Sequence, residues 1–353
     1  METKFLSTAI GSMPFEDPDY AVSVSLSKLD APIWPQLPKF GLLEQMEIQY
    51  SEGIPAAVVQ ADKGRMYFDT DTDYSESFAE FYEQYIVAAD PDEGNGDCEF
   101  MAISPEYSRG LYAMEKALKA SGNREWLKVQ TTGPCSFALT LVDENKRAIY
   151  YNEEFRDVIV KALALKCRWQ LQKFAPYAEH QICFIDEPIL SAFGSSTYVS
   201  VQRDDVVAML AEVIDSVHAE NGLAGIHCCG NTEWSILIDA GVDIVNFDAF
   251  GYGETIAMYA DSVKTHLARG GMLAWGVVPT SSVIREQTVE SLEAQLEKVM
   301  DGLAATGISK DTIIKQAILT PSCGTGSLPV EEAELVFDLL SKLSKRMKEK
   351  YGF

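Results

Sequence analysis

The stretch Leu223-Ala224-Gly225-Ile226-His227-Cys228-Cys229-Gly230 decides how the chain is interpreted. Its apolar first half predicts a buried strand, on which side chains two residues apart share a face. His227 and Cys229 therefore face one way and Cys228 the other. An imidazole and a thiolate on one face, with Cys323 as a second thiol, are typical of a zinc site that keeps an open fourth position. The alternative at this point is that all three cysteines are small buried hydrophobic residues.

Apolar segments of the same kind recur along the chain and alternate with helical patterns. Such alternation predicts an α/β protein with a parallel sheet. With a proline-rich segment near Trp34 included, the predicted strands number eight, which is the number that closes a (β/α)₈ TIM barrel. We therefore expect residues 1–353 to form one barrel, with a β-hairpin (57–60 and 65–68) and helices inserted after the second strand. The other seven predicted strands are 5–10, 127–131, 182–185, 224–227, 244–247, 272–275 and 317–320.

Composition excludes several classes of partner. The chain of 353 residues has 53 acidic and 29 basic residues, a net charge of −24, which argues against nucleic acid and anionic membranes as partners. Seven scattered cysteines and the lack of a long apolar run predict a soluble, cytoplasmic protein without a disulfide framework. The acidic stretch 90–97 lacks the glycine and final glutamate of an EF-hand, so we predict a solvated loop there.

Polar or glycine-bearing clusters follow the predicted strands. In a barrel of this type the active site lies at the C-terminal ends of the strands, so we expect these clusters to converge on one mouth. The clusters are Gly11-Ser12, Thr132-Gly133-Pro134, Asp186-Glu187-Pro188, His227-Cys228-Cys229, Asp248, Val278-Pro279-Thr280 and Cys323-Gly324-Thr325-Gly326.

Five motifs in this order carry a resemblance to a known family: Ile10-Gly11-Ser12, Thr132-Gly133-Pro134, Ile185-Asp186-Glu187-Pro188, the His-x-Cys of His227 and Cys229, and the Pro-x-Cys-Gly of Pro321 to Gly324. Over nearly its whole length the chain resembles the catalytic barrel of cobalamin-independent methionine synthase, in a short, core-type form. The wider superfamily includes uroporphyrinogen decarboxylase. The resemblance implies a zinc-dependent methyltransferase that moves a methyl group to the thiol of homocysteine to give methionine.

The resemblance also assigns roles to individual residues. It makes His227, Cys229 and Cys323 zinc ligands, with Asp248 as the fourth, where the family has glutamate, and Glu254 as the fallback. Because zinc-bound thiols are deprotonated, the resulting homocysteine thiolate would accept the methyl group. Substrate binding is assigned to Gly11, Ser12, Thr132, Asp186 and Glu187, the last two also being catalytic candidates.

The acidic pair has a physical rationale and an alternative. A buried carboxylate such as Asp186 needs a compensating cation, which the substrate ammonium would supply, and Glu187 would share that task. Alternatively, Asp186 and Glu187 pair with a lysine or arginine of the barrel.

The methyl donor and the acceptor thiol are less constrained. The chain has room for one barrel, and residues 135–139 contain no tryptophan to stack on a pterin. We therefore expect methylcobalamin or another methylcorrinoid, held on a corrinoid-carrying partner protein, ahead of methylfolate. The alternatives are methyl transfer to another thiol such as coenzyme M, a uroporphyrinogen decarboxylase, which would need arginines before Arg65, and a non-enzymatic barrel whose structural zinc has four protein ligands.

Overall fold

The computed structural model describes residues 2–89 and 96–353. Residues 90–95 of the predicted acidic loop lie outside the described residues, so that loop stays a prediction. The strands are β1 (Leu6–Ser7), β2 (Ala57–Gln60), β3 (Arg65–Phe68), β4 (Arg124–Thr132), β5 (Ala178–Asp186), β6 (Leu223–Cys228), β7 (Ile244–Phe247), β8 (Met272–Val278) and β9 (Ala317–Pro321). The helices are α1 (Pro18–Lys28), α2 (Met46–Gln49), α3 (Ser75–Ala89), α4 (Arg109–Ser121), α5 (Pro134–Thr140), α6 (Glu153–Phe174), α7 (Arg203–Ala219), α8 (Trp234–Asp239), α9 (Ala260–Ala268), α10 (Val289–Ala304), α11 (Lys310–Lys315) and α12 (Val330–Tyr351).

Seven parallel strands form one curled sheet, in the order β1-β9-β8-β7-β6-β5-β4. Helices connect these strands, which confirms the predicted α/β class and its TIM-barrel-like architecture. The remaining two strands, β2 and β3, pair antiparallel in the predicted hairpin. Among the described residues, the strand ladders form an open sheet of seven strands. They do not show a closed barrel of eight strands.

The proline-rich segment 31–36 runs between the two edge strands of the sheet without forming a regular strand. On one side the Gln36 backbone N–H donates to the Gly11 carbonyl at 2.9 Å, and on the other the Pro32 carbonyl accepts from the Lys128 N–H at 2.8 Å. Only isolated bridges join it to its neighbours. Prolines within the segment lack the N–H donor that a continuous ladder requires, which explains why the predicted strand is irregular.

The register of the sheet aligns a row of polar side chains on its inner face. Thr132 of β4 pairs with Asp186 of β5, Asp186 with His227 of β6, and His227 with Asn246 of β7. Because partners in register on neighbouring parallel strands point to the same face, these four side chains lie side by side. Most of the remaining inner face is an apolar cluster that includes Leu6, Ile182, Phe184, Ile244, Ala274 and Ile318, interrupted by the buried Lys128 and Gln130 of β4.

The intervening residues of each strand face outward and pack under the helices. Ile185 and Ile226 belong to this outer cluster, as do Leu292, Leu296 and Leu303 of α10. In the part of the chain that the structure describes, no helix combines the length and the apolar character needed to span a bilayer.

Candidate active site

Three potential metal ligands meet at the C-terminal end of the sheet. His227 points inward from β6, Cys229 follows the same strand, and Cys323 follows β9; one ligand atom from each lies within 4.8 Å of the others. Cys228, at the intervening position, is fully buried in the outer cluster, and burial raises the pKa of its thiol to about 12. Cys228 therefore packs among apolar side chains on the outer face of the sheet, whereas Cys229 faces the ligand cluster.

The His227 ring is held in one orientation by the neighbouring strand. Its Nδ1 lies 2.6 Å from the Oδ1 of Asn246, whose Nδ2 donates to the carbonyl of Ala274 at 2.9 Å and to Oγ1 of Thr320 at 2.8 Å. Because the Asn246 nitrogen is used by these acceptors, its oxygen faces His227, and Nδ1 must carry the imidazole proton. The other ring nitrogen, Nε2, is buried and has no partner among the described residues. Its lone pair is available for a metal.

The thiols of Cys229 and Cys323 shift each other's pKa in opposite directions. Hydrogen bonding from Cys323 lowers the pKa of the Cys229 thiol. The same hydrogen bond and burial raise the pKa of Cys323. One thiolate is therefore already stabilised by its neighbours. An imidazole nitrogen with a free lone pair beside two sulfur ligands is a donor set that zinc prefers, so the residues present fit a zinc ion.

A cavity of about 400 Å³ lies over this cluster. That volume is in the range that accommodates a small metabolite. The wall contains His227, Cys229 and Cys323 together with the predicted substrate residues Ser12 and Asp186, whereas Gly11, Thr132 and Glu187 do not line it. The other lining residues are Ile10, Gln36, Pro38, Glu44, Gln45, Met46, Pro188, Gly324, Gly326 and Ser327.

Two glycines allow the wall around Ser12 to close. The Thr325 N–H donates to the Ser12 carbonyl at 2.9 Å, and a Cβ on Gly324 would lie only 2.1 Å from the Ser12 Oγ. A Cβ on Gly11 would lie 1.9 Å from Oε1 of Gln36. A side chain at either position would have to displace one of these side-chain ends, and the Gln36 amide is held in place by its 2.9 Å hydrogen bond to Gln49.

Asp186 is a buried carboxylate whose charge is incompletely compensated. Its side chain is 3% exposed, and Oδ1 has no hydrogen-bond partner among the described residues. Burial raises the pKa of this carboxyl group, while the nearby Lys128 and His227 oppose the shift. Lys128 is fully buried, and its Nζ lies 3.3 Å from Oε1 of Gln130 and 4.5 Å from the Phe184 ring centroid. A lysine is thus near Asp186, as the alternative prediction required, but the described residues form no salt bridge between them.

Thr132 and Glu187 differ in how their polar atoms are used. The Oγ1 of Thr132 is buried without a partner among the described residues, next to Asp186 in the polar row. Glu187 instead accepts from the Cys135 N–H at 2.8 Å and from the Ser136 N–H and hydroxyl, both at 2.7 Å. Burial raises the pKa of Glu187 to about 7. Its carboxylate is therefore occupied at the start of α5.

The candidates for a fourth ligand lie outside the three-residue cluster. The Oδ1 of Asp248 accepts from the Gly251 N–H at 2.7 Å. Burial, and to a lesser degree the negative charge of Cys229, raises the pKa of Asp248, so its carboxyl group is close enough to respond to the site. Glu254 forms an exposed salt bridge with Lys298 at 2.7 Å. The fourth ligand stays a prediction.

Sequence reasoning missed Asn246, Thr320 and Lys128. Asn246 and Lys128 are polar residues within otherwise apolar predicted strands, at 244–247 and 127–131, and that interruption was the available signal. Thr320 ends the predicted strand 317–320, where a small hydroxyl residue gives no comparable signal.

Comparison with known proteins identifies the fold. No protein-family profile and no curated protein matches the chain by sequence. Among solved structures, a methyltransferase from Methanosarcina mazei is similar with a TM-score of 0.56 and 14% identity, covering 93% of this chain and 88% of that one. A B12-independent methionine synthase from Shewanella sp. W3-18-1, in complex with selenomethionine, is similar with a TM-score of 0.56 and 14% identity, covering 99% of both chains. The chain therefore shares the fold of these two proteins.

Proposed function

We propose that this protein is a zinc-dependent methyltransferase that methylates the thiol of homocysteine to give methionine. The observation that carries the proposal is a single cavity whose wall holds both a zinc-type donor set and the unpartnered carboxylate of Asp186. A thiol and an ammonium group on one small molecule match those two features. The names of the two structures of similar fold support methyl transfer as the reaction.

The metal would be held by His227, Cys229 and Cys323, with Asp248 proposed as the fourth ligand. Bound zinc would keep an incoming thiol deprotonated near neutral pH, and only the thiolate is a good nucleophile for a methyl group. The buried Asn246 keeps the His227 lone pair directed into the site. Asp248 would be the ligand that gives way to an incoming thiol, whereas in a purely structural site no protein ligand would be displaced and the cavity would have no role.

The contacts of homocysteine, the methyl acceptor, are assigned from the row of polar side chains on the inner face of the sheet. The ammonium group of homocysteine can donate to Asp186, whose Oδ1 lacks another partner among the described residues and which lines the cavity; Thr132 lies behind Asp186 in the row and does not line the cavity. The Ser12 hydroxyl and the Ser327 N–H are assigned to the substrate carboxylate, because both residues line the same cavity, whereas the Thr325 and Gly326 N–H groups already donate to Ser12.

Coenzyme M fits the cavity less well than homocysteine. The charged side chains in its wall are Glu44 and Asp186, and the described lining residues include no lysine or arginine. The sulfonate of coenzyme M would therefore find no cation in the wall, and coenzyme M has no ammonium group for Asp186 to bind.

For the methyl donor we propose a methylcorrinoid, presented by a corrinoid-carrying protein, with methylfolate as the second candidate. The choice is supported by the lack of a lining lysine or arginine, which leaves no cation in the cavity for the polyglutamate tail of a folate. Chain length does not support a corrinoid donor, since the Shewanella protein that matches over 99% of both chains is B12-independent.

We also propose that segment 31–36 is the eighth member of a closed barrel and that residues 1–353 form one domain. A reducing, cytoplasmic location suits the seven free cysteines.

The test is methionine formation by purified, zinc-loaded protein given homocysteine with either methylcobalamin or methyltetrahydrofolate. We expect Cys323→Ser to lower the rate by at least about 100-fold, since even a residue that only orients a metal ligand contributes 10- to 100-fold. Cys183→Ser is the matched control, because Cys183 is fully buried in the outer cluster. No methionine with either donor would refute the proposed function, and an unimpaired Cys323→Ser enzyme would refute the assigned site.

A further inference from the structure

A chain of buried hydrogen bonds connects the two strands that carry metal ligands. It runs from Thr320 of β9 to Asn246 of β7 and on to His227 of β6, and the side chains of Thr320 and Asn246 are fully buried. Cys323 follows Thr320 by three residues on the same strand end. The hydrogen-bond chain therefore begins beside one thiol ligand and ends on the imidazole ligand.

Asn246 occupies a position where an apolar residue would be expected. Its inner-face neighbours along the strand and across it are Ile244 and Ala274. A buried amide is costly unless its donors and acceptor are all used. Here both N–H groups donate, to Ala274 and Thr320, and the oxygen accepts from His227. Rotating the amide by 180° would oppose its oxygen to the Ala274 carbonyl and its N–H groups to the imidazole N–H, so one orientation is enforced.

We propose that Asn246 is a positioning residue that fixes the tautomer and ring plane of His227 and thereby preorganises the metal site. Thr320 supports it by fixing the amide. The role of the bound metal in methyl transfer rests on the proposed function above, but the positioning itself is a property of the protein without its metal. It can therefore be measured independently of catalysis.

The direct test is the tautomer of His227 in metal-free protein, read from nitrogen NMR shifts of the imidazole. In the wild type we expect the proton on Nδ1. In Asn246→Leu, which removes the acceptor at similar size, we expect a mixture of tautomers or protonation on Nε2. Asn246→Asp keeps an acceptor for the Nδ1 proton, so it should retain the wild-type tautomer.

Zinc affinity, measured by competition with a chromophoric chelator, is the second readout. Loss of residues that orient metal ligands typically costs 10- to 100-fold in affinity, which is the range expected for Asn246→Leu. Thr320→Val leaves the bond to Ala274, so its loss should be smaller. Gln170→Leu is the matched control: Gln170 is an equally buried amide, bonded to Trp34 and Gln130, and its loss should reduce stability without changing zinc affinity.

The inference is overturned if folded Asn246→Leu keeps the wild-type tautomer or binds zinc as tightly as the wild type. If Asn246→Leu does not fold, Thr320→Val and Asn246→Asp decide the matter. Equal zinc affinity in Thr320→Val together with a changed tautomer in Asn246→Asp would overturn it. Tight zinc binding by the wild type without any methyl transfer would refute the proposed function and leave this inference standing.

Discussion

Replacing Lys128 by methionine would measure what a charge costs in the interior of this sheet. Lys128 points inward from β4, is fully buried, and has no carboxylate oxygen within salt-bridge distance among the described residues. Its ammonium group contacts Oε1 of Gln130 and the ring of Phe184. Methionine has a similar length and flexibility, so it would keep the packing against Phe184 while removing the charge.

The expected gain follows from the pKa of the lysine. Burial lowers it from 10.5 to about 8. At ~1.4 kcal/mol per unit, the charged side chain destabilises the folded state by roughly 3 kcal/mol at pH 7. Lys128→Met should therefore be more stable than the wild type at pH 7 by up to about 3 kcal/mol.

The gain should depend on pH with a defined sign. Because the folded-state pKa lies below the unfolded one, the unfolded chain binds more protons between about pH 8 and 10.5, and the wild type gains stability from this group as pH rises through that window. The advantage of Lys128→Met should shrink over the same window.

Urea unfolding at a series of pH values provides the measurement. Lys166→Met is the matched control, because Lys166 is equally buried but donates to the carbonyls of Glu52 at 2.7 Å and Met101 at 3.2 Å. Burial lowers the pKa of Lys166 to about 7, so removing its charge should also give a pH-dependent gain, but here the gain is opposed by the two carbonyls left unsatisfied. Comparing the two variants therefore separates the cost of the charge from the worth of the hydrogen bonds. The reasoning is refuted if Lys128→Met is less stable than the wild type at pH 7 with an unchanged m-value, or if the difference between them does not vary from pH 8 to 10.5.

Three further predictions concern the cavity and the core. Gly11→Ala places a Cβ 1.9 Å from Oε1 of Gln36, so we expect a loss of about 1–3 kcal/mol in stability and weaker homocysteine binding by calorimetry; unchanged values would contradict the packing argument. Asp186→Asn should raise the KM for homocysteine at least about 10-fold while zinc content stays constant, and an unchanged KM would reject the ammonium assignment. Burial lowers the pKa of His266 to about 4, so the stability that the neutral side chain contributes is lost as pH falls from 6.5 to 4, by up to roughly 3 kcal/mol. We expect His266→Gln to lose less stability than the wild type over this pH range. Equal losses in the two proteins would contradict this prediction.

Local sequence signals predicted most of the sheet but not its irregular parts. The hairpin was predictable because two short apolar segments flank a loop that contains Gly64, which adopts a left-handed φ of 62°. The strand 244–247 has the predicted bounds because its apolar run is short and ends in a polar residue. In contrast, the predicted strand 5–10 pairs regularly only over Leu6–Ser7. An apolar run reports burial, whereas pairing depends on a neighbouring strand that is distant in sequence.

The same limitation of local signals explains the errors in reasoning about the site. Strand alternation separated Cys228 from its neighbours, and the structure places Cys228 in the outer cluster. The same rule applies to Asp186 and Glu187, which are adjacent and end up in the cavity wall and at the start of α5, respectively. Asp186 and Glu187 were given one role because of the family resemblance. Strand alternation, which places adjacent residues on opposite faces, was not applied to this pair. Strand alternation alone could not predict the contact of Asn246 with His227. Whether a polar residue in one strand meets a polar residue in the next depends on the register between the strands.

Register also explains how the apolar interior specifies the chemistry of the cavity. Thr132, Asp186, His227 and Asn246 are neighbours only because their strands align as they do. A slip of one residue in β5 would turn Asp186 outward and bring its neighbours in sequence to the inner face. That slip would also move Ile182 and Phe184 out of the inner apolar cluster and against the helices, so their packing with Leu6, Ile244 and Ile318 would be lost. The two apolar residues below Asp186 therefore hold the carboxylate beside the His227 ligand, and substitutions that weaken their packing should disturb substrate binding without touching the cavity.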